Sequence, residues 1–209
     1  MAGRLGVLVC VGGSPGSGKT TVGTLVAQAG EMTLVDLDSV TTALVEAFAA
    51  GLGVVADLDA PRFAALRDAR YACLAAVAAD NLRAGRDVVA VAPFTSEAAD
   101  AVAWRERGKD WGAGEVVLCW LDVDADVTAR RVAERALPRD LAKAERAPAT
   151  RGPGAAGAAT ASGPTVRPTI DRAGLDIVAD GTRPPQETCA RVLAAARARE
   201  RGGRAAPLT

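Results

Sequence analysis

Apolar residues gather along this chain in short unbroken runs separated by longer stretches of mixed polarity. Leu5 to Val11 is continuously apolar, the pattern of a strand buried on both faces. Thr33 to Asp36, Val88 to Ala92, Val116 to Leu121 and Asp176 to Ala179 read as four further strands. The intervening stretches predict helices over about Lys19–Ala29, Ser39–Ala50, Arg62–Arg83, Glu97–Arg107, Asp126–Leu137 and Pro185–Arg201. In the second of these, Val40, Ala43, Leu44, Ala47 and Phe48 recur at helical spacing and predict its apolar face, with Gly51 as C-terminal cap. Ser96 is the expected N-cap of the fourth. Strands alternating with helices predict an α/β fold of three layers, a mostly parallel five-stranded sheet with helices on both faces.

One stretch breaks the alternation. Ala147 to Val166 reads APATRGPGAAGAATASGPTV, small residues, glycines and prolines that bury too little surface to offset chain entropy. The expectation is one domain over residues 1–209, with a mobile insert at 147–166 and a frayed tail after Arg201. Composition narrows the function classes. Apolar residues make up 49% of the chain but aromatics only 3%, so the core is expected to rest on Ala, Val and Leu. Twenty-five Lys and Arg balance 25 Asp and Glu, which argues against a general nucleic-acid or membrane-surface binder but leaves room for a local basic pocket. The absence of histidine excludes any mechanism that needs a His base, nucleophile or ligand. Cys10, Cys73, Cys119 and Cys189 are scattered with no CxxC pair. Two of them fall in apolar runs, as reduced cysteines of a cytoplasmic protein would. No run approaches the roughly 20 apolar residues of a membrane span, and no signal peptide fits the start.

The chemistry begins after the first strand. Gly13, Ser14, Pro15, Gly16, Ser17, Gly18, Lys19 and Thr20 match GxxxxGK[ST] in full, between a strand and a helix, with Thr21 following. Glycines let backbone N–H groups converge on anionic oxygens, and the helix start adds its positive dipole end. Such a loop binds nucleotide phosphates, with Lys19 reaching the β- and γ-phosphates and Thr20 ligating Mg²⁺.

What the phosphates are for depends on the rest of the chain. No NKxD occurs to read guanine, and the DxxG at Asp171 lies too late for a switch. A hydrolysing P-loop ATPase that drives a partner is one reading, with Asp122 at the end of VVLCWLD as its Mg²⁺ carboxylate. Yet Val123 stands where a catalytic glutamate belongs, and Asp122 or Asp124 can simply cap the next helix. A nucleotide-binding module without catalysis is a further class. Transfer to another molecule is favoured by three stretches. In LVDLDSV, Asp36 can hold Mg²⁺ through water and Asp38 can accept a proton from a substrate hydroxyl, unless Asp38 only caps the helix. In VVAVAPFTSE, Pro93, Phe94 and Thr95 can wall a substrate pocket or form a strand-to-helix turn with Phe94 stapled against the helix, and both can hold together. In ARRVAERALPRDLAK, Arg131, Arg135 and Arg139 recur every four residues, as arginines closing over a transferring phosphoryl group would, or as a solvated basic face.

Taken in order, GSPGSGKTT, DLDS, APFT and RVAERALPRDLAK resemble the small P-loop kinases. That group includes nucleoside-monophosphate, shikimate and gluconate kinases, chloramphenicol phosphotransferase and AAA-type kinases. The resemblance covers about Leu5 to Lys143 and the last strand and helix. It implies that ATP donates its γ-phosphoryl to a hydroxyl of a small molecule such as a sugar, nucleoside, cyclitol or antibiotic. It also implies that Asp36 and Asp38 match the DxD that binds Mg²⁺ water and the substrate hydroxyl. By the same resemblance Arg131, Arg135 and Arg139 are arginines of a lid at about 129–146, and Arg67 or Arg70 contacts substrate. The loop Gly181 to Pro184, with Arg183, would lie near adenine. The Asp-Gly signatures of nucleoside-monophosphate kinases and a GGG loop after the third strand are absent, so the acceptor stays open, as does the choice between monomer and homodimer.

Overall fold

A computed structural model describes residues 5–54, 58, 63–135 and 169–204; most of the expected lid, with Arg139, and the 147–166 insert lie outside the described residues. The strands are β1 (Val7–Gly13), β2 (Thr33–Asp36), β3 (Val88–Val91), β4 (Glu115–Asp122) and β5 (Ile177–Asp180). Between them run α1 (Lys19–Gly30), α2 (Leu37–Gly51), α3 (Ala64–Arg83), α4 (Ala101–Asp110) and α5 (Ala125–Arg135), and α6 (Pro185–Arg204) follows β5. All five strands pair in parallel, in the order β2-β3-β1-β4-β5. No helix among the described residues is long and apolar enough to cross a membrane.

Strand side chains alternate between faces, and β1 shows what that produces here. Leu8 and Cys10 join one core with Leu74, Ala78 and Leu82 of α3 and Trp104 of α4. Val7, Val9 and Val11 join the other with Val22 and Val26 of α1 and Cys189 and Val192 of α6. Both faces of β1 are covered, so every residue of the strand is buried, which explains the unbroken apolar run. Because all strands run the same way, their C-terminal ends open onto one edge of the sheet. There β1 delivers the phosphate loop, β2 delivers Asp36, β3 delivers Pro93 to Thr95, β4 delivers Asp122 and β5 delivers Gly181 to Pro184. An open parallel sheet binds its ligands at this edge.

Helix α2 departs from expectation. The apolar series Val40, Leu44 and Phe48 faces outward, 38%, 67% and 51% exposed, while Leu37, Thr41, Val45 and Ala49 face the core. The reason lies at its start. Asp36, not a later residue, caps the helix, its carboxylate accepting the N–H groups of Asp38 and Ser39, so the first turn begins at Leu37. That start, together with the bond from buried Arg70 to Thr41, sets the helix phase. Gly51 is the last helical residue and not the cap; the N–H of Leu52 returns to Phe48 and Ala49, and Gly53 takes the left-handed turn at φ 66°. Ser96 makes no cap bond either. A short 3-10 turn at Glu97–Ala99 comes first, and Asp100 caps α4 by accepting the N–H of Ala103 at 2.9 Å.

Asp176, just before β5, ties three elements together. Its Oδ2 accepts the Leu118 N–H of β4 at 2.8 Å and Arg105 Nη1 of α4 at 3.1 Å, while Oδ1 accepts Arg199 Nε of α6 at 3.2 Å. Upstream, the Asp171 N–H donates to the Ala98 carbonyl at 2.7 Å and its carboxylate accepts the Ala101 N–H at 3.3 Å.

Candidate active site

The phosphate loop turns between β1 and α1 on backbone bonds of its own. The Gly13 N–H donates to the Pro93 carbonyl at 3.2 Å, Ser17 N–H to Ser14 at 3.1 Å, and Val22 N–H to Gly18 at 3.0 Å. Gly18 stands at the helix start with φ 89°, a conformation that side-chain-bearing residues rarely adopt. Lys19 Nζ lies 3.3 Å from the Ser14 carbonyl, folded back over the loop. Ser17 is fully buried, and its hydroxyl has no hydrogen-bond partner among the described residues. A buried orphan hydroxyl inside a ring of amide donors is a place where an anionic oxygen belongs.

Beside the loop lies a cleft of about 640 Å³, walled by Gly16, Ser17, Thr21, Arg131, Thr182 and Arg183. Its two banks are joined by one side chain, since Arg131 Nη1 donates to the Gly16 carbonyl at 3.1 Å and to the Gly181 carbonyl at 3.0 Å. Gly181 must be glycine, because a Cβ there would stand 2.3 Å from the Ser17 carbonyl oxygen. The loop is held by Asp180, whose carboxylate accepts the Thr182 hydroxyl at 2.6 Å and its N–H at 2.8 Å. Those bonds hold the Asp180 carboxyl below its ordinary range, the hydroxyl bond most of all. Thr21 and Arg183, singled out in the sequence, both line this cleft.

On the other side of the loop, Thr20 Oγ1 donates to Asp36 Oδ2 at 3.0 Å. Asp36 is 7% exposed and spends its other oxygen on the α2 cap. Asp38 therefore does not cap, nor does it continue an extended segment; it rides the first helical turn with its side chain 49% exposed. Arg70 of α3 donates to it at 2.6 Å through Nη2 and to Thr41 Oγ1 at 2.7 Å through Nε. Of the two arginines offered by the sequence, Arg70 meets Asp38, while Arg67 donates to the Leu58 carbonyl at 3.1 Å. Thr41 and Tyr71 carry no motif, yet Thr41 fixes Arg70 and the Tyr71 hydroxyl receives the Phe94 N–H at 3.1 Å. Their signal is only proximity in sequence, Thr41 one helical turn after Asp38 and Tyr71 next to Arg70.

Pro93 and Thr95 are half-buried at the crevice edge, whereas Phe94 is 1% exposed and turns inward against Tyr71 and Trp104. It holds a left-handed backbone at φ 49°. Of the three expected wall residues, Phe94 is thus a core aromatic. Asp122 is paired with Arg172, and Asp124 accepts the Asp126 N–H at 2.9 Å in the first turn of α5. The side chain of Arg135 lies outside the described residues.

The AAA domain family model matches residues 8–152. No curated protein sequence matches the chain. Among solved structures, a candidate kinase from Chloroflexus aurantiacus is similar at a TM-score of 0.63 and 19% identity, over 94% of this chain and 98% of that one. A shikimate kinase from Aquifex aeolicus is similar at 0.50 and 19%, over 93% and 99%. An APS kinase from Mycobacterium tuberculosis, solved with AMPPNP and APS, is similar at 0.52 and 16%, over 91% and 97%. The expected three-layer α/β sheet with helices on both faces is the fold these proteins share. By its match over most of the sequence, the chain belongs to the AAA domain family, and it shares the fold of these solved kinases.

Proposed function

We propose that this protein transfers the γ-phosphoryl group of ATP to a hydroxyl group of a small molecule. The observation that carries the reading is the division of labour between two neighbouring carboxylates. Asp36 is buried against the Thr20 hydroxyl of the phosphate loop, and Asp38, two residues on, is half exposed and held by Arg70. A phosphoryl transfer needs these two environments side by side, one for the nucleotide's cation and one for the acceptor.

The loop amides and Lys19 would bind the β- and γ-phosphates, and Arg131 with Gly181 to Pro184 would border the adenosine. A hydroxyl oxygen and a carboxylate oxygen 3.0 Å apart are hard donors that suit Mg²⁺. No group of three or more acidic, Cys or His side chains that could hold a metal occurs among the described residues, which fits an ion that takes its remaining ligands from phosphate and water. Thr20 would hold Mg²⁺ directly and Asp36 through water; when bound, the ion neutralises phosphate charge. Asp38 would accept the hydrogen of the acceptor hydroxyl, oriented by its bond to Arg70, and direct the oxygen at the γ-phosphorus. Arg135 and Arg139 would add positive charge as the transition state forms.

The test is ADP release from Mg·ATP by the purified protein, alone and with hydroxylated metabolites and antibiotics. Turnover that depends on one acceptor, with a product heavier by one phosphate, is expected. Brisk hydrolysis indifferent to every acceptor would overturn the proposal.

A further inference from the structure

The chain is poor in aromatic residues, with three Trp, three Phe and one Tyr. Four of those seven surround one space. Tyr71 of α3, Phe94 after β3, Trp104 of α4 and Trp111 at the C-cap of α4 line a cavity of about 200 Å³ above Cys10 of β1. Phe94 stands 5.9 Å from Tyr71 edge-on and 4.9 Å from Trp104, ring centre to ring centre. An apolar cavity of ~150 Å³ already admits benzene, so this one has room for a single ring. Glu97 and Arg107 also line it, 3.4 Å apart, and their opposite charges cancel.

One polar group of its lining is unsatisfied. Trp104 is 2% exposed, and its indole N–H has no hydrogen-bond partner among the described residues. The Cys10 thiol lies beside it and offers only a weak acceptor. A buried donor without a partner is costly, and a structure keeps one where something else supplies the acceptor. The backbone around the space is also specialised, because Phe94 reaches its position only through a left-handed φ and is braced there by the Tyr71 hydroxyl.

We propose that the cavity between α3 and α4 is a binding site for a small uncharged aromatic compound. Its single ring stacks among Tyr71, Phe94, Trp104 and Trp111, and it carries a hydrogen-bond acceptor, a ring nitrogen or phenolic oxygen, for the Trp104 N–H. The site is distinct from the phosphate crevice, which shares no lining residue with it. The inference therefore goes beyond the phosphotransferase reading and does not depend on it.

The test is calorimetric titration of the full chain, without nucleotide, with phenol, pyridine, toluene and benzyltrimethylammonium. Saturable binding of phenol and pyridine is expected, about tenfold tighter than toluene. In Trp104→Phe, which keeps a ring but removes the N–H, that tenfold preference should vanish while toluene binding is kept. Ala75→Leu, which places a larger side chain at a half-buried position in the lining, should weaken all three ring compounds at least tenfold while thermal unfolding stays cooperative. The proposal is overturned if no neutral probe saturates at millimolar concentration, or if Trp104→Phe keeps the preference. It is equally overturned if ATP competes with the probes, or if the quaternary ammonium binds as tightly as phenol.

Discussion

On the phosphate side of the crevice, the groups around a ligand are mostly main-chain atoms, with the Lys19 and Thr20 side chains added: loop amides turned by Gly18, and carbonyls of Gly16 and Gly181 bridged by Arg131. On the acceptor side they are side chains on two helices, Asp38 and Thr41 of α2 and Arg70 of α3. A backbone site is specified by a short stretch of residues in fixed spacing, since each glycine sets its own local geometry. A side-chain site is specified by the rotation of whole helices, which depends on contacts far apart in sequence. The first kind can be copied between proteins as a motif; the second must be rebuilt for each acceptor.

Substitutions can separate the two sides. Lys19→Ala should have the largest effect, lowering kcat/KM for ATP by about a thousandfold whatever acceptor is used, measured in coupled ADP assays. Asp38→Asn should lower kcat about a hundredfold with little change in KM for ATP. Asp122→Asn should stay within about threefold of the parent; a collapse there, with Asp38→Asn active, would move the chemistry to β4 and favour ATP hydrolysis. Arg131→Ala should act on the nucleotide alone, raising KM for ATP about tenfold while KM for the acceptor holds. The smallest effect concerns stability and both sheet faces at once. Burial pushes the Cys10 and Cys119 thiols from 9.0 up to about 12, and Tyr71 from 10.0 up to about 12. The fold binds these protons more tightly than the unfolded chain does. Its stability should therefore hold below pH 9 and decline as pH rises from 9 towards 12. Melting temperature against pH checks this, and Cys119→Ala should flatten the alkaline decline.

What the sequence made legible follows the same division. The phosphate loop and the five strands were readable because each rests on local pattern, an apolar run or a glycine spacing, whereas the loop at Gly181 came only from the resemblance to small P-loop kinases. Asp36 was readable as a carboxylate at a strand end facing the ligand crevice, and it lies beside Thr20. The phase of α2 was not readable: Val40, Leu44 and Phe48 look like the better apolar face, but a cap at Asp36 and the anchoring of Thr41 by Arg70 turn Leu37, Val45 and Ala49 inward instead. Phe94 reads both as a pocket wall and as a staple against the next helix, and it packs on Trp104 of that helix; its brace from Tyr71, 23 positions away, had no local signal. Arg70 could be narrowed to a pair with Arg67 but not chosen, because one helical turn separates them and only tertiary packing decides which meets Asp38.

The ties made by Asp171 and Asp176 have a bearing on how such a chain can diverge. Both lie just after the glycine- and alanine-rich stretch and just before β5, and between them they hold on to Ala98, Ala101, Arg105, Leu118 and Arg199. The register of β5 against β4 is thus fixed by anchors downstream of that stretch, not by its length. Insertions and deletions upstream of Asp171 can then accumulate in descendants without moving the loop at Gly181, so this lineage is free to vary in size where it need not vary in chemistry.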